Sequence, residues 1–230
     1  MKTNNYNTEK IIGYLNSRGY TNFLTKREER ETIKHLNKHE YQIYETYNDC
    51  SKTILYKKEI PDIKLYKINS KVELRHQEIM GTIFSLGLKE DTFGDIVKYN
   101  NEYYIFILPS IEEYLKYNLT VINNNPVILE EVDLKTKEQF HQEYITKEYI
   151  VSSLRIDNVI STIINESRTK VQEHFQNKEI ILNYEEEIKP TRVLREGDVF
   201  SIRRHGKYKY SKILKETKKG GYIIEILIYV

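Results

Sequence analysis

The chain of 230 residues has one cysteine, Cys50, no tryptophan, four prolines and two methionines. A single thiol excludes an internal disulfide framework and any zinc site built on several cysteines. No apolar run approaches the roughly 18 residues that span a bilayer. The opening residues Met1-Lys2-Thr3-Asn4-Asn5-Tyr6 lack the apolar centre of a secretion signal. A cytoplasmic protein with no membrane partner is therefore expected. Charge of one sign is lacking too: 36 Lys and Arg stand against 34 Asp and Glu, a net of +2 that by itself names no partner. What is there is 39% hydrophobic and 30% charged, with a mean hydropathy of −0.63. That is apolar enough for real cores and polar enough to favour two or three small domains over one large one. Apolar residues run along the whole length, which argues against a disordered chain. A collagen, a coiled-coil rod and a disulfide-stapled mini-protein are excluded with it.

The distribution of charge is more informative. Residues 151–230 hold 15 Lys and Arg against 11 Asp and Glu, a local net of +4, leaving −2 for residues 1–150. Within the basic third, Arg203-Arg204-His205-Gly206-Lys207-Tyr208-Lys209-Tyr210-Ser211-Lys212 sets five cations and two tyrosines in ten residues. Such a run can draw phosphate and lay aromatic rings beside bases. A solvated strand face is the equally weighted alternative.

The pattern predicts an α+β protein. Residues 1–24 are mixed, with a short amphipathic stretch at Ile11, Ile12 and Leu15. Thr25 with Glu28 three residues on is a capping box, opening a helix to about Leu36. Tyr41 to Tyr47 and Thr53 to Tyr56 read as a hairpin turning at Asn48-Asp49. Residues 63–132 then read β-α-β-β-α-β: strands at 63–68, 95–99, 103–108 and 127–132, helices from His76 and after Pro109-Ser110. That order is ferredoxin-like or RNA-recognition-like. Residues 133–149 read as a polar linker or peripheral segment, and Phe93-Gly94-Asp95 as a turn into a strand. Beyond it, Ile156, Val159, Ile160, Ile163 and Ile164 form a helical stripe. Ser167 caps a second helix carrying Val171, His174 and Phe175 inward. Strands follow near Ile180, Val199 and Tyr208, with a last one from Tyr222 after the turn Thr217-Lys218-Lys219-Gly220-Gly221. The expected domains are a helix-plus-hairpin unit at 1–62, an RNA-recognition-like domain and linker at 63–149, and an RNA-binding domain with an extra hairpin at 150–230.

The joint between the two later helices is the leading candidate site. A helix start offers unpaired N–H groups that suit phosphate. Arg168 and Lys170 sit in that first turn and Arg155 in the first turn of the preceding helix, where cations oppose the helix dipole by about 0.3–1 kcal/mol each. A bound anion turns that local cost into a gain. The bland alternative is that these long side chains swing into solvent at no cost.

Arg155-Ile156-Asp157, Glu166-Ser167-Arg168-Thr169-Lys170-Val171, Ile180-Ile181-Leu182-Asn183, Lys189-Pro190 and Leu194-Arg195-Glu196-Gly197-Asp198-Val199 resemble the S-four domain, an RNA-binding fold named after a small-subunit ribosomal protein. The glycine usual after its second helix is Lys178 here, which would reshape the turn and add a cation. Residues Arg75 to Ile96, Thr21 to Glu28, and the tail from Gly206 to Gly220 are similar to bacterial YlmH proteins. The resemblance covers about residues 20–230. It implies an N-terminal α/β unit, an RNA-recognition-like middle domain and a C-terminal S-four domain. It also implies binding to ribosomal RNA on the large ribosomal subunit carrying an obstructed peptidyl-tRNA, during rescue of stalled translation. Separately, a monomer is expected, with tRNA as a candidate further partner and its direct contact left open. A cell-division link accompanies the family, so a division adaptor stands as an alternative. The expected RNA contacts are Arg155, Ser167, Arg168, Thr169, Lys170, Lys178, Arg203, Arg204, Lys207 and Lys209.

Catalysis finds little support. Arg155-Ile156-Asp157 echoes the aspartate motif of pseudouridine synthases, which keeps an RNA-modifying enzyme as a further alternative, but the triplet opens a helix where Asp157 suits ion pairing. No nucleotide-binding glycine motif is present. The histidines at 35, 39, 76, 141, 174 and 205 show no metal spacing, and His76 and Glu78, two apart, do not share a helix face. No metal, cofactor or catalytic residue is expected. Tyr104 and Phe106 alternate on one strand face as stacking aromatics do, yet the glycine-aromatic signature is missing and core packing is favoured.

Overall fold

The computed structural model describes residues 3–218 and 220–230. Met1, Lys2 and Lys219, which enter the readings of the N-terminus and the last turn, lie outside them. The chain divides into two compact units, Met1–His141 and Gln142–Val230.

The first unit opens with α1 (Thr3–Arg18), where only a short amphipathic stretch was expected. It continues through β1 (Leu24–Thr25), α2 (Lys26–Ile33), β2 (Gln42–Glu45) and β3 (Lys52–Tyr56). Thr25 and Glu28 form the reciprocal cap: the Thr25 hydroxyl accepts from the Glu28 N–H at 3.3 Å, and Glu28 Oε2 accepts from the Thr25 N–H at 3.0 Å. The helix stops at Ile33, short of Leu36. The small sheet has the order β1-β3-β2, and Ile11, Leu15, Leu24 and Leu55 bury against one another.

Next come β4 (Lys64–Ser70), α3 (His76–Ser85), β5 (Phe93–Tyr99), β6 (Glu102–Ile107), α4 (Glu112–Asn118), β7 (Val121–Ile122) and β8 (Asn125–Val132). The sheet is antiparallel in the order β5-β6-β4-β8-β7, so the β-α-β-β-α-β reading holds. Asn100 and Asn101 both take positive φ, 49° and 65°, the geometry a two-residue hairpin needs. The strand expected from Asp95 starts two residues earlier, so Phe93 and Gly94 belong to β5 rather than to the turn leading into it.

Both faces of this sheet are covered. Tyr103, Ile105 and Ile107 of β6 pack with Ile79 and Ile83 of α3 and Leu115 of α4. The alternate residues Tyr104 and Phe106 pack with Phe23, Ile54 and Phe140 on the other side. Gly94 leaves room for that layer, since a Cβ there would fall 2.8 Å from Phe23 Cε1.

The second unit begins with β9 (Tyr144–Val151), which corrects the linker reading of 133–149: most of this strand lies in that stretch. It continues with α5 (Ile156–Ile164), α6 (Arg168–Gln176), β10 (Ile180–Leu182), β11 (Glu185–Glu186), β12 (Val199–Ile202), β13 (Gly206–Glu216) and β14 (Tyr222–Tyr229). Its sheet runs β11-β10-β12-β13-β14-β9. The helical stripe supplies Ile156, Val159 and Ile160 to one core with Val171, Phe175, Phe200, Tyr208 and Tyr210. The protein is thus of the α+β class.

Candidate nucleic-acid interface

The α5–α6 joint is built from short-range chemistry. Arg155 is the residue just before α5, not within its first turn. Its guanidinium makes a two-pronged contact with Asp157, Nε to Oδ1 at 3.1 Å and Nη2 to Oδ2 at 2.6 Å. The Asp157 side chain is buried, while that of Arg155 is 43% exposed. Hydrogen bonding to Asp157 raises the arginine's pKa still further, so its guanidinium stays charged and paired with a buried carboxyl group.

Asn165 ends α5 in the left-handed region at φ 54°, and the Glu166 N–H donates back to the Ser161 carbonyl at 3.1 Å. Ser167 then caps α6, its hydroxyl accepting from the Lys170 N–H at 3.3 Å. Ser167, Arg168, Thr169 and Lys170 are all exposed. Arg168 folds back over the start of α5, where Nη2 donates to Asn158 Oδ1 at 2.6 Å and to Ser152 Oγ at 3.3 Å. Both acceptors are neutral, so Arg168 is positioned while keeping its full charge.

The other expected cations lie elsewhere on this unit. Lys178 follows α6 with φ 57°. Its N–H reaches the Phe175 carbonyl and that of Glu179 reaches the His174 carbonyl, a Schellman ending with lysine in the place of glycine. The turn is therefore kept rather than reshaped. Lys178 Nζ pairs with Glu186 at 3.5 Å. Arg203 and Arg204 are exposed in the β12–β13 turn, and the Arg203 N–H bonds the Glu179 carbonyl at 3.0 Å. Lys178, Arg203 and Arg204 thus gather at the far end of α6, whose nine residues put about 13 Å between them and Arg168.

Lys207 and Lys209 occupy one face of β13, and Tyr208 and Tyr210 the other. The tyrosines are buried, so they are core and not base-stacking rings. The rings beside the lysines come from elements whose role local sequence did not signal. Lys207 Nζ sits 4.2 Å from the Tyr229 ring centre and 5.2 Å from that of Tyr184, and Lys209 Nζ 6.0 Å from Tyr144. Tyr144 and Tyr229 meet edge to face at 4.9 Å. Strand alternation could have assigned Tyr208 and Tyr210 to the core. Nothing local could have found Tyr144, which stands 65 residues before Lys209.

One further cluster was not anticipated. His174 Nδ1 lies 2.6 Å from Glu179 Oε2, and its Nε2 lies 3.2 Å from Glu166 Oε2. Burial works against its charge, but the two carboxylates outweigh it and raise the imidazole pKa above the ordinary value. His174 is thus a partly buried polar hub rather than an apolar core residue.

In the first unit Glu78, Asp91 and Asp95 serve structural roles. Glu78 caps α3 through the Arg75 N–H at 2.9 Å, Asp91 accepts from Asn22 at 2.9 Å, and Asp95 accepts from the Ser51 N–H at 2.7 Å. Tyr104 packs 5.0 Å from Phe140, ring to ring, so no open aromatic platform exists on that sheet face. No described helix is long and apolar enough to cross a membrane.

The fold and these surfaces define an α+β protein, and residues 58–136 match the family described as "Putative RNA-binding domain in YlmH". The chain is also 30% identical over 148 residues to the ribosome-associated protein quality control protein P2 of Bacillus subtilis (strain 168). That alignment takes in 64% of this chain and 58% of the relative's length. A solved structure, the cell division protein ylmH from Streptococcus pneumoniae, aligns at 19% identity with a TM-score of 0.47, over 58% of this chain and 91% of that one. The resemblance to YlmH proteins is thereby supported, and residues 58–136 are similar to the RNA-binding domain described for that family.

Proposed function

We propose that the chain is a non-catalytic RNA-binding protein of the large ribosomal subunit, acting in the rescue or quality control of stalled translation. The family of residues 58–136 and the name of the Bacillus relative support ribosome-associated RNA binding. Ribosomal RNA is the principal partner, with tRNA a second contact, and the protein acts as a monomer in the cytoplasm. Its architecture is three-part: a helix-plus-hairpin piece laid on a β-α-β-β-α-β sheet, then an S-four-type domain starting at β9.

The observation that carries the reading is Arg168, braced by the neutral oxygens of Asn158 and Ser152 beside an exposed helix start. A guanidinium held in place by uncharged acceptors has lost entropy but no charge, which suits a phosphate contact. Lys170 and the Thr169 and Ser167 positions flank it. Lys178, Arg203 and Arg204 form a second contact patch, and Lys207 and Lys209 a third. Arg155 contributes less, because Asp157 balances it. Such contacts position the protein on RNA and leave specificity to RNA shape.

Binding of the Arg168→Ala/Lys170→Ala variant to large subunits or their RNA, measured across a salt series, tests this. Weaker binding is expected, with a log–log salt slope shallower by about 1 for each phosphate-binding cation removed. Arg155→Ala should have the smaller effect. An unchanged affinity and slope in the double variant would refute the assignment.

A further inference from the structure

Three chain segments bring metal-binding side chains together in the second unit. Glu166 lies in the α5–α6 joint, His174 in the last turn of α6, and His205 in the turn between β12 and β13. One ligand atom from each lies within 4.8 Å of the other two. The His174 and His205 rings stand perpendicular with centres 5.6 Å apart. Among the described residues this is the one group of three or more such side chains so placed.

We propose that Glu166, His174 and His205 form a binding site for a divalent cation of the zinc class. Two imidazoles and a carboxylate are the ligand set such ions accept, at bonds of about 2.0–2.2 Å. Around a tetrahedral ion those bonds place ligand atoms about 3.4 Å apart, so from a spacing within 4.8 Å the trio needs to draw in by no more than about 1.4 Å. The backbone under each ligand is already fixed. Glu166 is bonded to Ser161 twice, through its N–H at 3.1 Å and its carbonyl at 2.6 Å. His205 holds the Tyr208 hydroxyl on its carbonyl at 2.7 Å, and its N–H donates to Ile202 at 3.0 Å. His174 belongs to a regular helix.

Glu179 completes the arrangement from outside. Its Oε2 lies 2.6 Å from His174 Nδ1, which directs Nε2 toward Glu166. A carboxylate behind a ligating histidine fixes the tautomer and the ring's orientation. Three protein ligands leave a fourth position for water, and the exposed His205 gives the ion a path from solvent. The bound ion would tie the turn carrying Arg203 and Arg204 to α6. The sequence concealed the site because its ligands are 8 and 31 residues apart.

The test is titration of the full chain, freed of metal with a chelator, with zinc by calorimetry and with cobalt by visible absorption. One equivalent per chain is expected, with zinc displacing cobalt. His205→Ala and Glu166→Gln should each weaken binding at least tenfold, and Glu179→Gln by about 10–100-fold, as outer carboxylates do. No binding at millimolar zinc would overturn the proposal and leave His174 as a plain ion pair. Binding retained in His205→Ala would place the ion elsewhere and overturn it equally. His205 lies on an exposed turn, so this variant decides even if a His174 variant fails to fold. The titration uses no RNA, which keeps its outcome separate from that of the salt series.

Discussion

Arg155 and Arg168 show how two like residues on one surface acquire different uses. Arg155 faces a buried carboxylate, and Arg168 faces an amide and a hydroxyl oxygen. Residue type and spacing placed both at helix starts, but only geometry separates a paired charge from an available one. The same holds for the tyrosines of β13, whose chemistry suggested stacking while their register makes them core. Asp95 offers a test at this scale. Burial pushes its carboxyl up, against the lowering effects of the Ser51 N–H, Lys52 and Tyr47. With a folded value above the ordinary carboxyl value of about 3.9, its contribution to stability is complete below that value and lost as pH rises through the folded one. Denaturant unfolding of the wild type and Asp95→Asn from about pH 4 to about pH 7 should show the wild type losing ground to the variant as pH rises. A difference that stays flat would show that Asp95 titrates alike in both states.

Among the elements, those with strong local signals were legible. The Thr25–Glu28 cap, the α5 stripe and the Asn100-Asn101 turn each carry their cause within a few residues. Thr25→Ala should cost about 0.5–2 kcal/mol, read from thermal or denaturant melts, since it removes an acceptor from the Glu28 N–H. Preserved stability would mean that tertiary packing, not the cap, holds α2. The miss at β9 has a different cause. Its interior reads Thr146-Lys147-Glu148, polar because the strand lies at the sheet edge. Its partner β14 begins 71 residues after β9 ends, so no local window contains the pairing. Lys178 is a third case: a glycine position filled by lysine that still takes φ 57°, at a cost of about 1–2 kcal/mol for a side chain in that region.

For the molecule as a whole, the covered sheet of the first unit carries a functional message. Its aromatic face is spent on Phe23, Ile54 and Phe140, so any RNA bound by that unit must use another surface. The second unit has its own core, drawn from residues between Val151 and Ile226. Residues 142–230 produced alone should therefore unfold cooperatively on heating, as followed by circular dichroism. A gradual, non-cooperative melt would show that they depend on the rest of the chain. The first and last strands of this unit run side by side, with Tyr144 opposite Tyr229. The polypeptide thus arrives and departs at one corner, like a bead on a looped thread. Such a cassette can be spliced into a surface turn of an unrelated host without prising that host apart, a freedom that would let one small scaffold travel among many proteins.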